Sequence, residues 1–181
     1  MTFIEINETT EIAYGFYAIL KTIDNGVTWM EIDVPEPLIE NSRRTVREIE
    51  FFDDNRGIMV CSNSYIGGNH QTTIFYTEDG GLNWLPAYDS YDVPYSVTLG
   101  NNGYAWVNIT SDNIEITKDY GKTWETVVGD IVGAYTSNFY FVNDANLFSL
   151  SRTSDTYFLG KSSNLGNSWT HDTCPTITQI R

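Results

Sequence analysis

Residues 21–29 read KTIDNGVTW, with Asp24, Asn25 and Gly26 packed between two short runs that alternate as strands do. Thr22 ends one strand with a hydroxyl, and Asp24 carries an acceptor for nearby backbone N–H groups. Gly26 takes the φ > 0 conformation that a side chain resists. Trp29 then opens the next strand, where an indole can bury a large apolar body while its N–H reaches a carbonyl. Read alone, the stretch also offers Asp24 as a catalytic acid beside a ring that could stack on a sugar.

Three related strings decide between these readings. They are TEDGGLNW (77–84), TKDYGKTW (117–124) and SSNLGNSW (162–169). The tryptophans fall at 29, 84, 124 and 169, separated by 55, 40 and 45 residues, which is the period of a four-stranded propeller blade rather than of a helical solenoid. The box residues are Asp24, Gly26 and Trp29; Asp79, Gly81 and Trp84; Asp119, Gly121 and Trp124; and Asn164, Gly166 and Trp169. Asn164 keeps the turn chemistry without the charge, so the position reads as structural and not catalytic.

The same order of elements returns between the tryptophans. TVREIEFF (45–52), GIMVCSNS (57–64) and TTIFYTED (72–79) precede the second box. YSVTLG (95–100), YAWVNIT (104–110) and NIEITKD (113–119) precede the third, and NFYFVND (138–144), NLFSLSR (146–152) and TYFLGKS (156–162) the fourth. These Val-, Ile-, Thr- and aromatic-rich runs between turn residues predict an all-β chain, a β-propeller of about four blades in one domain spanning 1–181. The first repeat is short: TFIEINE and EIAYGFYAILKTID fit two strands and leave an innermost strand missing, which PTITQI (175–180) would supply. The expected blades are therefore 1–34 plus 175–181, 45–89, 95–129 and 137–174, with pairing of the two chain ends removing exposed sheet edges.

At its four boxes the sequence resembles the Asp-box, or bacterial-neuraminidase-repeat, superfamily, whose pattern is Ser/Thr-x-Asp-x-Gly-x-Thr-Trp. Boxes 22–29 and 117–124 match it fully, Asn83 replaces Thr in the second, and Asn164 and Ser168 depart from it in the fourth. IEFFDDNRG…IFYTEDGGLNW and FYFVNDAN…SSNLGNSW resemble, more narrowly, the photosystem II assembly and stability factor type of propeller. That resemblance implies binding and assembly roles. Members of that type carry more blades than four, so the chain is either a compact four-bladed disc or a part-propeller completed by another copy.

Composition narrows the partners. Hydrophobic residues at 41%, aromatics at 14% and charged residues at 19% describe a folded chain, and at 181 residues it buries roughly 70% of its unfolded surface. The net charge of −14 repels phosphate backbones, so no nucleic acid is expected. The cluster Arg43, Arg44 and Arg47 stands among Glu40, Glu48 and Glu50. No apolar run reaches the ~18 residues of a membrane span, so no membrane insertion is expected. MTFIEINETTEI lacks the features of a secretory signal. If Met1 is the native start, this implies a cytoplasmic or phage- or particle-associated protein. Cys61 and Cys174 read as free thiols or small hydrophobes.

For chemistry there is little material. Sialidase catalysis needs an arginine cluster, a Tyr–Glu pair and a carboxylic acid at the propeller centre. Only six arginines exist, three of them in one short stretch, and the Phe-Arg-Ile-Pro signature of that family is absent. His70 and His171 are the only histidines, while Asp53-Asp54 and Asp89/Asp92 read as solvated turns more readily than as calcium ligands. The reading is a non-enzyme with no cofactor and no metal. Its binding face lies opposite the boxes, where Arg44, Tyr65, His70, Tyr88, Tyr91, Asp92, Tyr95 and Arg152 collect, and it takes a protein partner or a second copy of the chain. The alternative is a sialidase-like glycan-binding or glycan-cleaving protein, with the tyrosines as stacking platforms.

Overall fold

The computed structural model describes residues 1–15, 18–35, 43–64, 70–91, 96–108, 113–128, 135–142, 146–153 and 156–174. These form sixteen strands in four antiparallel sheets, each a meander of four consecutive strands. The first sheet holds β1 (Thr2–Asn7), β2 (Thr10–Tyr14), β3 (Ile19–Thr22) and β4 (Met30–Ile32). The second holds β5 (Arg43–Phe51), β6 (Gly57–Ser64), β7 (His70–Thr77) and β8 (Leu85–Ser90). The third runs through β9 (Ser96–Leu99), β10 (Ala105–Asn108), β11 (Asn113–Thr117) and β12 (Glu125–Val128), and the fourth through β13 (Tyr135–Phe141), β14 (Leu147–Arg152), β15 (Tyr157–Ser162) and β16 (Thr170–Cys174). The first strands of the sheets lie side by side in series, β1 against β5, β5 against β9 and β9 against β13. This is the radial stack of a β-propeller. Among the described residues no helix is long and apolar enough to cross a membrane.

The first sheet corrects the expectation of a missing strand. EIAYGFYAILKTID divides into β2 and β3, and the Gly15 N–H donates to the Ala18 carbonyl at 3.0 Å between them. Pairing then runs from Glu11–Thr22 to Tyr14–Ile19 and buries Ile12, Ala13, Tyr14 and Ile19. The sheet thus has four strands of its own. Closure by residues 175–181 concerns a segment outside the described residues.

Packing follows the two faces of each sheet. Ile12, Tyr14 and Ile19 of the first sheet meet Ile49, Met59, Cys61 and Trp84 of the second. Val60 and Ile74 of the second meet Val107 of the third, while Trp106, Ile114 and Ile116 of the third meet Leu147 of the fourth. A sheet covered on both faces needs apolar residues at successive positions, and β10 (Ala105, Trp106, Val107, Asn108) is buried throughout. Burial pushes the Cys61 thiol up to about 12, so it serves as a small core hydrophobe.

All four boxes fold alike. In the first, the Thr22 hydroxyl donates to Asp24 Oδ1 (2.8 Å) and accepts from the Gly26 N–H (3.0 Å). Asp24 accepts in turn from the Thr28 N–H (2.8 Å) and hydroxyl (2.6 Å). Asn83 plays the Thr role in the second box, donating to Asp79 Oδ2 at 2.7 Å. In the fourth the polarity reverses, with Asn164 Nδ2 donating to Ser168 Oγ at 2.9 Å. Two successive residues turn left-handed in each box, and beside the glycines these are Asn25, Tyr120 and Leu165 with φ of 57°, 64° and 60°. A tyrosine or leucine there costs about 1–2 kcal/mol, offset where the side chain packs, as Leu165 does on the Trp106 cluster.

Candidate functional site

Strand direction sorts the loops onto two faces. The boxes join third and fourth strands at one end, and the opposite end gathers the starts of β5, β7 and β15 with the ends of β6, β8 and β14. Across this second end the second sheet carries a chain of polar contacts. Arg44 Nε donates to Asn63 Oδ1 (2.9 Å), Asn63 Nδ2 to Thr73 Oγ1 (3.3 Å), and the Thr73 hydroxyl to Asp89 Oδ1 (2.7 Å). One hydrogen-bond relay therefore ties all four strands together where the loops leave the sheet. Arg44 also donates to the Pro35 carbonyl, and its Cζ sits 4.8 Å from the centre of the Phe75 ring. So held and buried, its guanidinium braces the sheet and presents little of itself to a ligand.

The other residues expected on this face divide. Tyr88 is half-buried and packs on Val60, Ile74 and Val107, whereas Tyr91, just past β8, is 84% exposed. Arg152 is exposed at the end of β14, opposite Tyr157. His70 opens β7 by pairing with Ser64. Tyr65, Asp92 and Tyr95 lie outside the described residues. Sequence reasoning missed Asn63, Thr73 and Asp89 as a relay, because the three lie in different strands and only the register brings them together.

A cavity of about 240 Å³ opens beside this face between the first two sheets, lined by Met1, Thr2, Tyr14, Gly15, Val46 and Arg47. Burial raises the Tyr14 hydroxyl, with the nearby charges of Glu48 and Glu50 adding to it against hydrogen bonds from Ile49 and Thr2. Burial also raises the Glu48 and Glu50 carboxyls, and Glu48 ties two inner strands by accepting from the Val97 N–H at 2.9 Å.

On the box face a polar pocket of about 360 Å³ includes Phe52, Asp53, Arg56, Asn101, Asn102 and Tyr120. Arg56 lies 3.5 Å over the Tyr120 ring and 2.5 Å from Asp53, and Phe52 meets Tyr120 edge-on at 5.3 Å. Asp53 further accepts from the N–H groups of Asn55 and Arg56. Among the described residues no group of three or more His, Cys, Asp or Glu side chains converges. Asp53 closes its turn, Asp54 accepts from Asn7, and Asp89 serves the relay.

The sequence matches no protein-family model and no curated protein. The fold is similar to that of solved propellers. One is YCF48 bound to a D1 peptide, with 18% identity and a TM-score of 0.61 over 98% of this chain and 54% of that one. Another is the GH74 xyloglucanase from Xanthomonas campestris, with 13% identity and a TM-score of 0.58 over 90% of this chain and 28% of that one. The chain thus spans about half the length of the first and under a third of the second.

Proposed function

We propose that residues 1–181 form one non-catalytic Asp-box propeller domain that binds a protein segment through the loop face opposite the boxes. The observation that carries this is Tyr91, the most exposed of the large hydrophobic side chains among the described residues, standing at the edge of a face that the Arg44–Asn63–Thr73–Asp89 relay holds rigid. A tyrosine on a rigid platform offers contact area at small entropic cost. The fold it shares with peptide-bound YCF48 supports the same reading.

Selection from a displayed random-peptide library tests it. Enriched peptides should bind the purified chain, and Tyr91→Ala should weaken them about tenfold, as expected for a tyrosine anchor. Lys118→Ala, on the box face, should leave binding unchanged. Failure to enrich any peptide, or equal effects of the two substitutions, would overturn the assignment.

A second reading, a glycan-binding or glycan-cleaving propeller, draws on the fold shared with the xyloglucanase and on the same exposed tyrosine. Specific, competable signals on a glycan array or hydrolysis of a fluorogenic glycoside would favour it over the peptide reading.

A further inference from the structure

Among the described residues the stack of four sheets ends on two unlike faces, each with exposed apolar side chains. Every box tryptophan after the first packs back toward the preceding sheet: Trp84 joins Ile12 and Ile19, Trp124 joins Val60 and Ile74, and Trp169 joins Trp106 and Ile114. Trp84 is consequently 6% exposed. Trp29 faces the side where a preceding sheet would lie and is 38% exposed, with Phe3 edge-on to it at 6.3 Å and itself 61% exposed. Register places Phe3, Leu20 and Glu31 on this leading face, together with Glu5.

The trailing face of the fourth sheet is the counterpart of the surfaces that receive Trp84, Trp124 and Trp169. Leu147, Ser149 and Ser151 turn inward and are buried, which sends Phe148, Leu150 and Arg152 outward. Pairing adds Tyr140 beside Phe148, Lys161 on its other side, and Tyr157 beside Arg152. Tyr140 is 56% exposed, and Leu150 and Tyr157 are exposed as well. The leading face carries Glu5 and Glu31, and on the trailing face Lys161 pairs with Asp172 of the same face at 2.7 Å beside the exposed Arg152.

We infer that a second copy of this chain completes the stack. The leading face of each copy seats on the trailing face of the other, twice over, closing a ring of eight sheets. Two observations carry this: the faces continue a sheet-on-sheet interface made three times inside the chain, and each leaves large apolar side chains exposed, Phe3 and Trp29 on one and Tyr140, Leu150 and Tyr157 on the other. Eight sheets fall within the 4–8 or so that propellers adopt. The contact is heterologous, because two different patches meet, and it closes only when the rotations sum to a full turn. It uses the ends of the stack, so it stands whether or not the loop face binds a peptide.

Sedimentation equilibrium of the 181-residue chain tests the inference. The expected species has twice the 20.6 kDa chain mass, and dimer formation should shift Trp29 emission to the blue. Phe3→Glu and Leu150→Glu, both at exposed positions, should each weaken dimerisation about tenfold or more while circular dichroism and the monomer's melting stay unchanged. An equimolar mixture of the two variants should regain dimer mass more readily than either alone, since the intact leading face of one meets the intact trailing face of the other. A monomer at every concentration, a dimer indifferent to both substitutions, or a mixture no better than its components would each overturn the proposal.

Discussion

The first and second boxes have nearly the same hydrogen bonds and opposite surroundings. Asp24 and Asp79 each accept from the side chain and N–H four residues on, and Thr22 and Thr77 each close the turn onto a glycine N–H. Yet Trp29 keeps its indole N–H on the Gly26 carbonyl at 3.1 Å and stays partly in solvent, while Trp84 is buried beside Phe51 with its Nε1 lacking a hydrogen-bond partner among the described residues. The box is therefore a self-contained turn whose geometry does not depend on burial. What differs between copies is the sheet packed against it, and the box exists to aim a tryptophan at that neighbour.

Removing the ring separates the two most widely. Trp84→Ala should cost about 3–5 kcal/mol in urea melts, as a buried aromatic does. Trp29→Ala, measured where the chain is monomeric, should cost less, about 1–2 kcal/mol, because part of its ring stays in solvent. Equal losses would break the comparison.

The box glycines give a finer test. An added Cβ at Gly81 would stand 3.0 Å from Ile12 Cδ1, whereas at Gly26 the nearest atoms are those of Trp29 at 3.9 Å. Both have φ above 80°, so each alanine pays the left-handed strain of about 1–2 kcal/mol. Gly81→Ala should exceed Gly26→Ala by about a further 1 kcal/mol in the same melts, as overpacking adds to strain.

Acid probes the charges. The Thr28 hydroxyl and N–H, with Thr22, hold the Asp24 carboxyl below its usual range. For Asp79 burial pushes upward, but the bonds from Asn83 and Thr77 prevail and the net direction is also down. A carboxylate whose folded pKa lies below its unfolded value of about 3.9 stabilises fully above that pH and loses the contribution as pH falls through the folded value. Melting temperature should thus fall as pH drops below about 4, and Asp24→Asn should flatten part of that fall. Asn164→Asp should have the smallest effect, introducing an acid-sensitive component into the fourth box with a change at neutral pH within about 0.5 kcal/mol. A fourth box indifferent to acid after that substitution would show that the turn does not sense the charge.

Much of this was legible in the sequence because a turn is a local object. Thr22, Asp24, Gly26 and Thr28 sit within seven residues, and their chemistry alone specifies the left-handed pair and the hairpin. The first sheet was misread for an equally local reason: only Gly15 marks the break between β2 and β3, and the apolar run around it reads as a single strand. The candidate site was less legible. Arg44 looked like a ligand contact, and only the convergence of Asn63, Phe75 and Pro35 reveals it as a brace.

By itself the sequence determined four repeats, their box turns and an all-β class, since these follow from spacing, side-chain acceptors and backbone permissiveness within a few residues. The tertiary structure decided which tryptophans are buried, which polar groups join across strands, and that among the described residues the stack ends on Phe3 and Trp29 at one side and Tyr140 and Leu150 at the other. Those outcomes depend on contacts between residues far apart in the chain, where burial is set by the neighbouring sheet and not by the residue's own identity.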